Sequence, residues 1–442
     1  MLFYTTTYLL FFLPIALLLF FSGKYLKIDR KIILILLSVF FYSWWNIYYL
    51  PVILSSIVIN YYFYKKLTSS VINRKKTLLI GVALNILILA IFKYTDFIIQ
   101  NINFIWSTNI DYLNLPFPLA ISFFTFQSIA FLVNVYDNEI LDVKIKEYFL
   151  FILFFPQLIA GPIVKYNSMT PQFNNEYNWS FNKRNFIIGL TILFIGLIKK
   201  IYFAGTLSEY VDAGHQNINE LKFLSSWLLS FCFTFQFYFD FSGYVDMATG
   251  SALMFNIVLP QNFNSPLKAT SIIDFWQRWH ITLTNFLNNF IYNPLLRSLK
   301  NINFINSMIV TFFVFLIAGI WHGPSWNFIL FGAFHGFGLI INHIYKKYIN
   351  LNLSKYLFWF LTFNFINISF IFFRTNEIEN LIFIFKKMFK INLLNDHYFI
   401  DKLFKEFIND SNLVICFAIS VVVCIFFKNS SILIKKINED KQ

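Results

Sequence analysis

Charge is scarce in this chain. Asp, Glu, Lys and Arg make up 13% of its 442 residues, and no polar stretch is long enough to fold as a soluble domain of its own. Cysteine is nearly absent: Cys232, Cys416 and Cys424 lie in apolar runs without metal or disulfide spacing. A disulfide framework is thereby excluded, and the three thiols read as small packing groups that say nothing about redox compartment. Acidic residues are fewer than basic ones, 22 against 35, and the basic surplus sits in short connecting runs. That placement speaks for membrane topology, with no nucleic-acid partner. No G-x-S-x-G elbow, phosphate-binding P-loop or H-E-x-x-H metal pattern occurs, so no metal is expected and any catalysis rests on histidine. Internal repeats, coiled-coil heptads and low-complexity tails are missing too.

Hydrocarbon is abundant. The chain is 58% hydrophobic and 21% aromatic, with a mean hydropathy of +0.62, well above the roughly 45 to 50% apolar content of ordinary globular domains. The composition implies an all-α, multi-pass protein of the lipid bilayer. Apolar runs of near-spanning length occur at 4–21, 32–50, 52–64, 77–92, 118–136, 148–165, 185–203, 223–240, 245–259, 305–321, 326–345, 356–373 and 412–427. Several fall short of the ~20 residues of a full crossing and are expected to be tilted, broken or re-entrant. The first run has no basic region before it and no small-residue cleavage site after it, so it is expected to stay as a span. Lys24, Lys27, Arg30 and Lys31 follow the first run, and Lys65, Lys66, Arg74, Lys75 and Lys76 follow the third. Both clusters are expected in the cytoplasm, which puts the N-terminus outside. Thr95–Pro116 carries Asp96 and Asp111 and no basic residue, as its outer placement requires. Two late segments, Thr375–Lys390 and Ile391–Asp410, read as connectors with interfacial helices as the alternative. The chain is expected to form a single membrane domain: N-terminal spans over 1–114, a core over 115–345 and further helices over 346–442.

Polar residues inside such a chain need a reason. In FFPQLIAGPI (154–163), Pro156, Gly161 and Pro162 interrupt an apolar run, reading as a cavity wall or a simple kink. In QFYFDFSGYVDMATG (236–250), Asp240 or Ser242 is expected to cap a following helix, with Gly243 as the turn. Asp246 falls inside the next apolar stretch and needs a polar partner. The densest cluster is DFWQRWHITL (274–283). Ser271 and Asp274 have capping-box spacing, and Asp274 and Arg278 form an i,i+4 pair, so neither needs a catalytic role. Trp276 and His280 are also i,i+4, which places the imidazole on a bulky apolar face as either a structural or a functional histidine. In AGIWHGPSW (318–326), Gly323 and Pro324 must end a helix that begins near Phe304, leaving His322 in its last turn. A helix broken inside a membrane is a common site of binding, and His takes a proton from a hydroxyl near neutral pH. In GAFHG, Gly332 and Gly336 have the spacing of close helix contact, so His335 reads as packing. His215, His343 and His397 sit near polar connectors.

Taken in order, FFPQLIAGPI, FDFSGYVDMATG, PQNFNSP (260–266), DFWQRWHITLT and WHGPSWNFILFGAFHG resemble the membrane-bound O-acyltransferase family over residues 115–345. The likeness is to its bacterial branch of alginate and peptidoglycan O-acetylation subunits and, more distantly, to the D-alanyl transfer protein of teichoic acids. The resemblance implies a tunnelled multi-pass fold in the bacterial cytoplasmic membrane, with the acyl donor, acetyl-CoA, on the cytoplasmic side. It implies no bound cofactor, and an extracytoplasmic polysaccharide as acceptor. It maps the family's near-invariant histidine onto His322 and a second motif histidine onto His280. His322 is then expected as general base and His280 as the group that orients or polarises the thioester, with Gln277, Trp321, Asp246 and Arg278 as positioning candidates. The segment after R-W-H departs from the relatives' I-S-L-S-x-W-x-R-D-Y at Asn285, Asn288 and Asn289, which bears on acceptor or partner specificity. A separate periplasmic transferase, esterase-like (SGNH type), is expected to receive the acetyl group. The rivals are a transporter of a glycan precursor or small anion, and a family member that acylates a lipid, a protein or teichoic acid.

Overall fold

The computed structural model describes residues 1–69, 73–349, 351, 353–375, 377–389 and 401–432, without the side chains of Lys24 and Leu26. Every regular element among them is helical, as a chain in hydrocarbon must be unless it closes a barrel. Among the described residues, six helices are long and apolar enough to cross a membrane, with a seventh if a pair bent by 83° near the C-terminal end counts as one span. That is fewer than the thirteen apolar runs. The difference lies in helices that are short, broken or fused.

The chain packs as two compact units. One comprises Met1–Phe194 with Val245–Gln261. It begins with α1 (Leu13–Leu26), α2 (Arg30–Ser43), α3 (Leu50–Ser69), α4 (Arg74–Trp106) and α5 (Ile121–Tyr136). The 148–165 apolar run is then broken at Phe154, where FFPQLIAGPI begins, into α6 (Ile145–Leu153) and α7 (Phe155–Leu158), followed by α8 (Tyr166–Asn174). Side chains satisfy the break. Ser38 Oγ accepts the Phe155 N–H at 3.1 Å, and Gln157 Nε2 donates to the Phe151 carbonyl at 2.6 Å, so protein side chains take up backbone groups at this buried break. A Cβ at Gly161 would meet the Gln157 backbone at 2.5 Å, so only glycine fits this fold-back. α9 (Lys183–Leu197) closes against the last turns of α11 (Phe223–Met254), where a Cβ at Gly250 would lie 2.5 Å from the Gly189 carbonyl oxygen.

The second unit comprises Ile195–Tyr244 and the described residues from Asn262 to Ile432. A π-helical stretch over Ile198–Ala204 leads into α10 (Gly205–Gln216). α11 runs unbroken through Asp240, Ser242 and Gly243, which corrects the expected cap and turn. The two apolar runs on either side are one helix of 32 residues. Gly243 has a packing role instead: a Cβ there would stand 2.9 Å from the Gly196 carbonyl oxygen and 3.0 Å from Lys199 Cβ. Asp240 pairs with Lys200 across that contact. The short helices α12 (Ile272–Trp276), α13 (Ile281–Leu287) and α14 (Asn293–Ser298) follow, then the hairpin of α15 (Phe304–His322) and α16 (Trp326–Ile344), and α17 (Lys355–Arg374).

Glycines set the hairpin. A Cβ at Gly332 would stand 2.3 Å from the Phe315 carbonyl oxygen, and one at Gly319 would stand 2.3 Å from that of Phe328. Gly336 likewise faces Phe312 of α15, so the Gly332–Gly336 spacing marks a close helix contact. α17 is tied to α11 by a buried amide. Asn367 accepts from Thr234 Oγ1 at 2.7 Å and donates to Ser230 Oγ at 2.9 Å. α18 (Ile378–Phe389), α19 (Lys402–Asn409) and α20 (Ser411–Phe426) complete the unit. α18 corrects the connector reading of Thr375–Lys390: Leu381, Ile384 and Met388 form a buried stripe at helical spacing. Residues 391–400, with His397, lie outside the described residues.

Candidate active site

DFWQRWHITL is two helices meeting at a histidine. Ser271 Oγ accepts the Asp274 N–H at 3.0 Å, Asp274 Oδ2 accepts the Thr270 N–H at 3.2 Å, and Asp274 Oδ1 takes Arg278 Nε at 2.6 Å. Capping and an ion pair thus occupy both charges. α12 stops at Trp276, and His280 has φ 44° and ψ 51°, a left-handed conformation in which histidine is one of the more frequent non-glycine residues. His280 then starts α13, its carbonyl accepting from the Leu283 and Thr284 N–H groups. The helical face expected to join Trp276 and His280 is therefore broken between them. Trp276 instead donates through Nε1 to His335 Nδ1 at 3.2 Å, which docks α12 on α16.

His280 is turned the other way. Its ring, 2% exposed, meets Phe241 of α11 edge-on at 4.9 Å between centroids and Trp321 of α15 at 6.3 Å. Asn262 Oδ1 lies 3.2 Å from its Nδ1. Trp321 in turn touches His322, ring to ring at 4.9 Å. The two histidines that lie 42 positions apart in the chain therefore flank one indole. His322 ends α15, and Gly323, in extended conformation, ends it abruptly; a Cβ at Gly323 would stand 2.2 Å from the Phe328 ring. Ser325 Oγ restarts the chain as α16 by accepting the Asn327 N–H at 3.2 Å. Phe373 of α17 packs on the His322 ring at 5.1 Å and Phe331 at 5.8 Å. His322 stays partly accessible, while Trp321 and His280 are buried. An accessible imidazole beside a buried one, in aromatic walls, is suited to proton transfer.

The other expected site residues lie apart. Gln277 is exposed and lines a cavity of about 340 Å³ with Ser271, Asn342, Lys346 and Phe358. Arg278 holds Asp274 and the Asn264 carbonyl. Asp246 sits five residues beyond Phe241 along α11. Asn285, Asn288 and Asn289 are all exposed, on the outer side of α13 and the π-helical turn after it. Asn262, Phe241 and Phe373 carried no assignment from sequence. Asn262 was legible as an amide within PQNFNSP, but phenylalanines cannot be singled out among 61.

With this geometry in place, comparison with known proteins decides the family. The sequence profile of the membrane-bound O-acyltransferase family matches residues 39–376. The chain belongs to the membrane-bound O-acyltransferase family. Among individual relatives, it is 42% identical over 344 residues to the peptidoglycan O-acetyltransferase of Helicobacter pylori, covering 71% of this chain and 65% of the relative. It is 34% identical over 316 residues to the probable alginate O-acetylase of Pseudomonas syringae pv. tomato, covering 69% and 59%. The teichoic acid D-alanyltransferase of Bacillus subtilis is 26% identical over 241 residues, covering 53% and 61%. The chain thus spans less than two thirds of the length of these relatives. Within this membrane-bound O-acyltransferase, Arg278→Ala is expected to cost at most about 1 kcal/mol of stability, since both partners of its ion pair are about a third exposed or less. It is expected to leave turnover near wild type. Thermal unfolding in detergent and a turnover assay check this, and a loss of turnover without unfolding would place Arg278 on a substrate.

Proposed function

We propose that the chain is the membrane component of an O-acetylation system, taking acetyl from acetyl-CoA on the cytoplasmic side and passing it across for transfer to an extracytoplasmic polysaccharide. The observation that carries this reading is the His280–Trp321–His322 cluster at the end of a helix broken inside the membrane. The activities named for two of these relatives, peptidoglycan O-acetylation and alginate O-acetylation, favour acetyl over other acyl groups. In the reaction, an acceptor hydroxyl attacks the thioester carbonyl, His322 takes the hydroxyl proton, and the C–S bond breaks to release CoA as its thiol. The products are an O-acetyl ester and CoA. The core over 115–345 carries this chemistry within one membrane domain.

Sidedness is part of the proposal. Arg297, Lys300, Lys346, Lys347 and Lys355 gather where α15 begins, α16 ends and α17 begins, an end that belongs in the cytoplasm. His322, at the opposite end of α15, then faces the outer half of the membrane, where an acceptor arrives. The basic residues after α1 support an N-terminus outside the bacterial cytoplasmic membrane. A separate esterase-like periplasmic transferase receives the acetyl group.

The test is CoA release from acetyl-CoA by the purified chain in liposomes, with and without an acceptor. Acceptor-dependent release is the expected result; transport of acceptor or anion without CoA release would replace this reading by the transporter one. D-alanyl transfer is the second reading, favoured by the likeness to the teichoic acid enzyme. Release that depends on a D-alanyl donor and not on acetyl-CoA would select it.

A further inference from the structure

The polar contacts around His280 determine which of its ring nitrogens carries the proton. Asn262 Oδ1 lies 3.1 Å from the backbone N–H of Thr282. A backbone N–H can only donate, so the amide atom facing it is the oxygen. The same oxygen takes the Thr282 hydroxyl at 2.9 Å and meets His280 Nδ1 at 3.2 Å. An oxygen that only accepts requires a proton on Nδ1, and a neutral imidazole then has a bare lone pair on Nε2. The backbone holds this register: the Ile281 N–H donates to the Asn262 carbonyl at 3.0 Å, and the Asn264 N–H to the Arg278 carbonyl at 2.9 Å. The PQNFNSP segment is therefore clamped along the turn that keeps His280 at positive φ.

We infer that Asn262 is a positioning residue that locks His280 in its Nδ1–H tautomer and so presents Nε2 as a hydrogen-bond acceptor for an O–H or N–H of the bound substrate. The purpose of the lock rests on the acetyl-transfer reading, whereas the tautomer itself does not. Burial agrees with it. Asn262 and His280 are 1% and 2% exposed, and His280 lies outside the helices long and apolar enough to cross a membrane, with its pKa pushed by burial down to about 3. The imidazole is thus neutral at physiological pH, and a neutral Nε2 without a proton cannot donate to a thioester carbonyl. Of the two roles expected for His280, orientation of a substrate donor fits this tautomer and polarisation of the carbonyl does not. Asn262 Nδ2 is buried and makes no hydrogen bond among the described residues, so the oxygen is the working end of this amide.

The experiment is nitrogen NMR on the full chain labelled with ¹⁵N-histidine, in detergent. Six histidines make the spectrum tractable, and His280 is assigned by the signals lost in His280→Gln. The expected spectrum has a pyrrole-like Nδ1 and a pyridine-like Nε2; a pyrrole-like Nε2 in the wild type overturns the proposal. Asn262→Ala is expected to mix the tautomers and to lower turnover by ~10² or more, the lower range of what a placed imidazole supplies. A single retained Nδ1–H tautomer in that variant overturns the lock. Thr282→Val keeps Asn262 and the backbone donor, and is expected to retain both tautomer and turnover. If Asn262→Ala does not fold, the wild-type spectrum still decides. The expected tautomer in a protein that releases no CoA sinks the acetyl-transfer reading and leaves the lock standing.

Discussion

In the proposed reaction, His322→Ala is expected to lower acetyl transfer by ~10² to 10⁴, the range that a positioned acid–base group contributes. The side chain ends α15, stays partly accessible, and is held by Trp321, Phe331 and Phe373. Its removal leaves the helix, its glycine stop and the Ser325 cap in place, so folding is expected to survive. Turnover of acetyl-CoA by the purified variant, alongside its thermal unfolding in detergent, separates the two effects. A folded variant with wild-type turnover would remove His322 from the chemistry. His322→Gln, which keeps a polar group without a titratable nitrogen, is expected to be as inactive as alanine.

Gly332→Ala is expected to destabilise the protein by at least the roughly 1 to 3 kcal/mol typical of overpacking. The added Cβ would stand 2.3 Å from the Phe315 carbonyl oxygen and 3.1 Å from Gly319 Cα. Backbone cannot rotate aside as a side chain can, so α15 and α16 must part. His322 and Phe331 sit on the two helices of that hairpin, and turnover is expected to fall along with stability. Thermal unfolding checks the first effect. An unfolding temperature equal to wild type would show that the helix crossing has slack which the geometry denies. Gly205→Ala is the matched control, because a Cβ there meets nothing closer than 3.9 Å.

Much of the architecture was legible because the solvent imposes it. In hydrocarbon the backbone must bond within its own helix, so apolar runs, proline and glycine mark the ends of elements directly. The stop at Gly323, the close contact at Gly332 and the capping box at Ser271 and Asp274 were all readable in this way. So was the family, from motifs in order. Gly243 was misread because an isolated glycine between polar residues looks like a turn. Only the neighbouring chain at Gly196 and Lys199 reveals that the glycine is there to let a continuous helix be approached.

The sequence by itself determined the class of the molecule and the broken helix that carries His322. These follow from local rules of solvation, capping and steric exclusion. Tertiary structure alone decided that His280 and His322 flank Trp321, that Trp276 turns to His335, and that Asn262 faces Nδ1. Those contacts join positions up to 59 residues apart, across a left-handed break at His280 that reverses which way each side chain points. No periodicity in the chain encodes such a reversal.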